Sequence, residues 1–582
     1  MLRPFLLLLM LTTPAIADED QKLAAFFKDY LEEFMKNNPV DASKLGDHRY
    51  DDRLDDLSPT ARAANLQRHK DTLARLPKAV ELDKLTADGK IDFQILLDSL
   101  TRTIWLAENT DPFANDPRIW NEYLADSVYI NLTQSTVAKR QAVSDAASRI
   151  TAIPRTVLAA KESLKNPPKV YVETAIRQNR GSIAFYEKAI FDLTGETPGV
   201  SALAGPCKSA SAALKDYGKF LEEELLPRAT GEWRIGKEKF AKKLETELEA
   251  GPGLSADEVL QLAITESDRV RGDMYVLARQ VWPKVFPGKA QPPDDAEGRR
   301  TCIRRVIAEV GKDHGEVTTM VADAKKTADE IKAFITAKDI LRLPDPDRCA
   351  IIEMPEFQRG NSTAYLNPAP PLDPKAQSVY AVSPPPRDWD DRRVRTYLEE
   401  YNSAMMRILT IHEAYPGHYV QLEYSNRHPS LIRKILSSGT FAEGWAVYTE
   451  QMMLDQGFGN GDLALRLNQL KFYLRAVTNA ILDHRMHCEK MTDDEALKLL
   501  VDGAFQTEGE ALGKIVRAKQ SSCQLSTYFV GRMAFYRLRQ QISREQGDAF
   551  DLGRFHEAVL AHGTLPVKFL PQVVPERLKQ PR

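Results

Sequence analysis

Ten prolines fall between residues 341 and 390, at 344, 346, 355, 368, 370, 371, 374 and 384–386. Proline lacks an N–H and clashes with the preceding turn, so no long helix can run through this window. Two short apolar runs inside it, Ala350-Ile351-Ile352 and Ser378-Val379-Tyr380-Ala381-Val382, fit β-strands. Both flanks read as helix. Leu23, Phe27, Tyr30, Leu31 and Phe34 recur at three- and four-residue spacing. Ser58-Pro59 has the form of a helix start, and Ser255 with Glu258 and Thr492 with Glu495 form S/T-x-x-E capping boxes. The expected architecture is therefore mainly α. An N-terminal helical half, 18–340, packs against a C-terminal helical half, 391–582, and the proline-rich segment 341–390 connects them.

Residues 1–17 read as a signal peptide. Met1-Leu2-Arg3 is a positive start, Phe5 to Leu11 a short apolar run, and Ala15-Ile16-Ala17 a small-x-small cleavage signal. Export to the periplasm or the medium is expected, with cleavage near Ala17. Asp18 rather than Cys follows, so no lipid anchor is expected at that point, and no later stretch is apolar for long enough to span a membrane. The net charge is -3 with no block of like charge, which gives no footprint for nucleic acid and no basic surface for anionic lipid. Five cysteines, Cys207, Cys302, Cys349, Cys488 and Cys523, are too few for a disulfide framework in 582 residues; their pairing stays open, as does the oligomeric state.

The chemistry is expected after the proline window. The stretch Ile411-His412-Glu413-Ala414-Tyr415-Pro416-Gly417-His418 follows a helical stripe of Val394, Tyr397, Tyr401, Met405 and Leu409. Zinc favours imidazole and carboxylate ligands, and a catalytic site leaves a position for water. A Glu beside the first His suits a general base. The two His are six residues apart, however, and in an unbroken helix they would diverge by about 240°. Pro416 breaks the helix and Gly417 tolerates backbone forms closed to other residues, so a broken turn could return His418 to His412. Downstream, Phe441 to Glu450 reads as a helix. Glu443 on it is the candidate third ligand, and Glu450, two turns on, is placed to orient a ligand His. Thr440 and Glu443 also fit a T-x-x-E capping box. His556-Glu557-Ala558-Val559-Leu560-Ala561-His562 repeats the H-E-x4-H spacing without a Pro-Gly break, and reads as a helix surface.

Taken together, H-E-A-x-P-G-H at 412–418 and E-G-W-A at 443–446 resemble the bacterial family of domain of unknown function 885. The resemblance covers most of the mature chain. It is sharpest over about 350–570 and looser at Leu45-Gly46 and Trp233-Arg234. The family is similar to helical gluzincin-type metallopeptidases. That likeness implies a large helical fold of two halves around a cleft, with short strands near the active site. It implies one zinc ion per chain on His412, His418 and Glu443, with Glu413 as base, acting on peptide substrates. Family-like segments surround Arg475, Asp483 and His487, and run from Arg517 through Gln524 and Tyr528 to Gly531. Tyr528 is the expected oxyanion donor, His487 a further catalytic candidate, and Asp483 a supporting residue. Arg475, Arg517 and Gln524 are candidate substrate contacts, the arginines suited to a terminal carboxylate. Two departures fall among these contacts and spare the metal set. Ser522-Cys523 stand where the family usually has Pro-Gly, and His484-Arg485 where it commonly has Gly after Asp-x.

Metal-assisted hydrolysis of short peptides, carboxypeptidase- or dipeptidase-like, is thus the first expectation. The alternatives are an exported helical binding protein with a structural or absent metal, and a zinc hydrolase of non-peptide amides. No G-x-S-x-G elbow and no G-x-x-x-x-G-K-[ST] loop occurs.

Overall fold

The computed structural model describes residues 18–251, 254–354, 359 and 364–581. The expected signal peptide, residues 1–17, and Pro355 lie outside them. Helices account for 73% of the chain and strands for 3%, so the one small sheet is a local insert and helix packing builds the core. Four apolar clusters lie among the described residues, the smallest around Leu482, Leu500 and Ile515. One joins Phe27, Leu96 and Ile331 to Tyr380, Trp445 and Phe535. A second joins Trp282 to Tyr473, Val477 and Phe529. The two halves of the chain therefore share both of these cores. A third, around Trp120, Ile150 and Tyr217, belongs to N-terminal helices alone.

The elements near the site begin with α1 (Gly236–Leu248) and α2 (Ala256–Val285). In α2, Ser255 and Glu258 form the expected capping box. The sheet comprises β1 (Cys349–Glu353), β2 (Ala364–Asn367) and β3 (Ser378–Val382), in the order β1-β3-β2. β1 runs parallel to β3, with Ile351 opposite Tyr380. β2 is antiparallel to β3, with Leu366 opposite Tyr380, and it lies at one edge of the sheet.

After the sheet come α3 (Asp391–Glu400), α4 (Ser403–Glu413) and α5 (His418–Asn426). The stripe from Val394 to Leu409 thus spans two helices rather than one. Asn402 divides them, because its side chain accepts from the N–H of Ala404 and of Met405, both at 3.1 Å, and caps a new helix. Then follow α6 (Gly439–Asp455), α7 (Leu463–Cys488), α8 (Glu508–Gln520), α9 (Thr527–Gln546) and α10 (Leu552–Leu560). α7 is about 39 Å long and is buried along most of its length, with α2 beside it. All five cysteines are unpaired. No helix among the described residues is long and apolar enough to cross a membrane.

Candidate metal centre

α4 ends at Glu413, and the chain turns back on itself at once. Tyr415 N–H reaches Thr410 O at 3.2 Å, Gly417 N–H reaches Ile411 O at 3.0 Å, and α5 starts at His418. Gly417 has φ −70°, so a left-handed backbone is not the reason for glycine here. The reason is space: a Cβ on Gly417 would lie 1.9 Å from His412 O. The indole of Trp445 donates to Pro416 O at 2.8 Å and fastens the turn to α6. The result is a near-perpendicular pair of imidazoles, His412 and His418, with ring centroids 4.8 Å apart.

α6 brings the carboxylate. Ser438, not Thr440, caps this helix, and the Thr440 hydroxyl donates instead to Glu247 O in α1, at 3.1 Å. Glu443 is therefore free of a capping role. Its Oε2 stands 3.5 Å from His418 Nε2 and 3.8 Å from His412 Nε2. Ligands about 2.0–2.1 Å from a tetrahedral zinc would stand roughly 3.3 Å apart. Glu443 Oε2 is buried with no hydrogen-bond partner, an arrangement that costs free energy unless something else satisfies it. Donor atoms of the three residues all lie within 4.8 Å of one another. The set fits a divalent metal with two imidazoles and one carboxylate.

Electrostatics fit the same geometry. Burial, then the neighbouring His418, pushes His412 down to about 4. Burial also opposes charge on His418, but the Glu443 carboxylate beside it outweighs this and raises it. Glu443 is lowered: the nearby His418 and His412 outweigh its burial. Two turns along α6, Glu450 Oε1 lies 2.8 Å from His412 Nδ1 and is fully buried. With a proton on Nδ1, His412 donates to Glu450 and turns its Nε2 lone pair toward Glu443 and His418.

Two glycines set how close the neighbouring helix comes. A Cβ on Gly444 would lie 2.4 Å from Gly531 Cα, and one on Gly531 2.1 Å from Thr440 O. α6 and α9 thus cross backbone to backbone, next to Glu443 on one helix and one turn from Tyr528 on the other. Tyr528 consequently faces the Glu443 carboxylate, and burial first, then that carboxylate, pushes its hydroxyl up to about 12. Arg517 donates to the Tyr528 hydroxyl at 3.2 Å and to Gln524 Oε1 at 2.9 Å. On the opposite wall, the N–H of Leu366 in edge strand β2 donates to Glu413 Oε2 at 2.9 Å.

Of these groups, His412, Glu413, Glu450, Arg517 and Tyr528 line one cavity of about 870 Å³, together with Arg475, and His418 and Glu443 lie behind His412, outside its lining. Arg475 is ion-paired there with Glu510. A larger depression of about 1010 Å³, lined by Arg271, Arg300 and Phe505 among others, contains none of the expected site residues.

His487 and Asp483 are not part of this cavity. His487 lies twelve residues past Arg475 on α7, about 18 Å along the axis. It is buried against Phe240 and Trp233. Its Nε2 lies 2.9 Å from Ala518 O and 3.2 Å from Ser521 O, so it secures the end of α8 rather than touching a substrate. Asp483 accepts from Cys523 N–H at 3.0 Å and Ser526 Oγ at 3.1 Å, so it supports the turn into α9 rather than a metal ligand. That turn is where Ser522-Cys523 depart from Pro-Gly, and Cys523 holds φ 72°, a backbone form that glycine adopts at lower cost.

His556 corrects the expectation of a helix surface. It is fully buried, with Nδ1 2.8 Å from Ile340 O and Nε2 2.7 Å from the Tyr448 hydroxyl, and it packs edge-on to Trp445. It therefore braces α6 from behind. Sequence reasoning missed the Leu366 N–H, because a backbone donor leaves no mark on residue identity. It also missed Lys514, although its place three residues before Arg517 in a helix offered a signal.

Comparison with known proteins agrees with this fold. The family model described as "Bacterial protein of unknown function (DUF885)" matches residues 39–574. A solved structure from Shewanella oneidensis, described as a candidate lipoprotein of unknown function, is 29% identical. It aligns over 95% of this chain and 99% of its own, with a TM-score of 0.80. A candidate lipoprotein from Colwellia psychrerythraea is 18% identical, aligns over 97% of this chain and 100% of its own, and has a TM-score of 0.78. No curated protein matches the sequence.

Proposed function

The chain belongs to the bacterial family of unknown function DUF885, and within that family we propose that it is an exported zinc-dependent hydrolase of peptide bonds. The observation that carries this reading is the buried Glu443 Oε2, without a hydrogen-bond partner and facing two imidazoles, with Glu413 directly after the first of them. The ligand types favour zinc, and a zinc ion held by His412, His418 and Glu443 would polarise a carbonyl and lower the pKa of water. Export accords with the signal-like sequence of residues 1–17 and with two structural relatives described as candidate lipoproteins.

The chain's own residues supply the rest of the reaction. Glu413 lines the cavity beside His412, where it can take a proton from the attacking water and give it to the leaving amine. The Leu366 N–H bond to Oε2 fixes the direction of that carboxylate while leaving Oε1 for the proton. As the carbonyl oxygen gains charge, the Tyr528 hydroxyl is placed to donate to it. Its raised pKa keeps that proton in place at neutral pH. β2 is an edge strand whose Ala364 lines the cavity, and apart from the Leu366 N–H held by Glu413 such an edge can pair with an extended peptide, which favours peptides over compact amides.

Glu413→Gln is the direct test. This change should keep zinc and lower peptide turnover by about 10²–10⁴-fold, the usual weight of a general base. Turnover close to that of the parent would remove Glu413 from this role.

A further inference from the structure

The far wall of the cavity, on α7 and α8, carries more positive charge than ion pairs among the described residues match. Glu400 is paired with Lys471 at 2.7 Å, and Glu510 with Arg475. Lys514 and Arg517 remain. Among the described residues Arg517 bonds only the neutral groups of Gln524 and Tyr528. Lys514 is 8% exposed, lines the cavity, and makes no hydrogen bond or ion pair among the described residues. A buried amine that lines a cavity with no hydrogen bond of its own is a candidate ligand contact, and the Glu510 carboxylate, already bound to Arg475, acts on it only through the field.

We propose that Lys514 and Arg517 form a binding site for the terminal carboxylate of a peptide, which would make the protein an exopeptidase acting at the C-terminus. The inference rests on the peptidase reading above and adds the substrate end. Three residues apart on α8, the two side chains share one helix face. A guanidinium fork and an ammonium together satisfy both carboxylate oxygens. The Tyr528 hydroxyl links the two sites, accepting from Arg517 at 3.2 Å and lying against the Glu443 carboxylate. A carboxylate held there is therefore one or two residues of extended chain, about 3.5 Å each, from the bond to be cut. Gly509 and Gly513 line the same cavity, and a Cβ on either would meet nothing within 4 Å, which leaves room for the released residue's side chain. Hydrolysis breaks the C–N bond, adds the water oxygen to the acyl carbon and delivers a proton to the amine of the released C-terminal fragment. Burial, then Arg475 and Arg517, pushes Lys514 down to about 7, and an arriving carboxylate favours its charged form.

The test uses tripeptides ending in Ala, Phe, Lys or Asp, each as free acid and as C-terminal amide. Their binding to zinc-loaded Glu413→Gln is measured by calorimetry. The proposal expects at least one acid to bind about tenfold or more tightly than its amide, which is about 1.4 kcal/mol. Adding Lys514→Met or Arg517→Gln should bring that ratio close to one, while Lys514→Arg retains it, with zinc content and circular dichroism equal throughout. Acids and amides that bind alike, or no binding of any, overturn the proposal. Turnover by the parent enzyme separates the two readings. Equal kcat/KM for acid and amide defeats the carboxylate site and leaves a peptidase. A clear acid preference in binding with no turnover of any peptide defeats the peptidase and leaves the site.

Discussion

His412 depends on one buried carboxylate. Glu450 is fully buried, and burial raises its carboxyl well above the usual range, a cost the fold carries to hold His412 Nδ1 at 2.8 Å. Removing such a partner typically weakens metal binding about 10–100-fold, so Glu450→Ala should release zinc to a chelator at correspondingly lower concentration. Tyr528→Phe removes only a hydroxyl. It should lower kcat by about 10²–10³-fold if that hydroxyl meets the oxyanion, with KM nearly unchanged in steady-state assays. A fall in KM affinity with kcat intact would make Tyr528 a binding residue instead. At this scale identity and spacing were enough to single out His412, Glu413, His418, Glu443 and Glu450, which the structure brings together. The sequence was uninformative where burial decides. His487 and His418 look alike in sequence, yet one is tied to helix-end carbonyls and the other faces a carboxylate.

Two close approaches between elements hold the site. The turn after α4 closes because Gly417 lies against His412 O, and α6 meets α9 because Gly444 and Gly531 leave no side chain between them. Gly531→Ala would drive a methyl into Thr440 O and force the helices apart, at a cost of about 1–3 kcal/mol in stability. Because Glu443 and Tyr528 sit beside this crossing, both melting temperature and turnover should fall, by thermal unfolding and peptide assay. A variant with the parent's melting temperature and turnover would mean that the helices can slide apart freely. Helices on both sides of the proline window were legible from periodicity, and so were β1 and β3. The division of α3 from α4 was not, because Tyr397, Tyr401 and Met405 continue the apolar stripe across a break that Asn402 alone signals. β2 was missed because Ala364–Asn367 is short and only half-buried.

Across the whole molecule, neutral histidines act as structural groups. His428, His487 and His562 are pushed down to about 4 and His556 to about 3, each chiefly by burial. In the unfolded chain they titrate near 6.5. Between those values the unfolded chain binds more protons, so their contribution is present above about pH 6.5 and is lost as pH falls toward 4. Asp483 and Asp55, pushed up to about 7 by burial, act in the opposite sense over the same range. A single variant separates the two. His556→Gln should lower the melting temperature most at pH 7, and the gap from the parent should narrow toward pH 4. A gap that is constant across that range would show that His556 does not stay neutral in the fold. The mainly helical class was legible from the sequence, but the sharing of cores between the two halves was not, since apolar stripes do not name their partners.

The proposed chemistry requires that a six-residue spacing close into a metal site. Elemental mass spectrometry of the purified mature protein, beside His418→Ala prepared identically, tests it most directly. About one zinc per chain is expected in the parent, the stoichiometry of a single three-ligand site, and its loss in the variant. No zinc in either protein after zinc has been offered, or equal zinc in both, would contradict it.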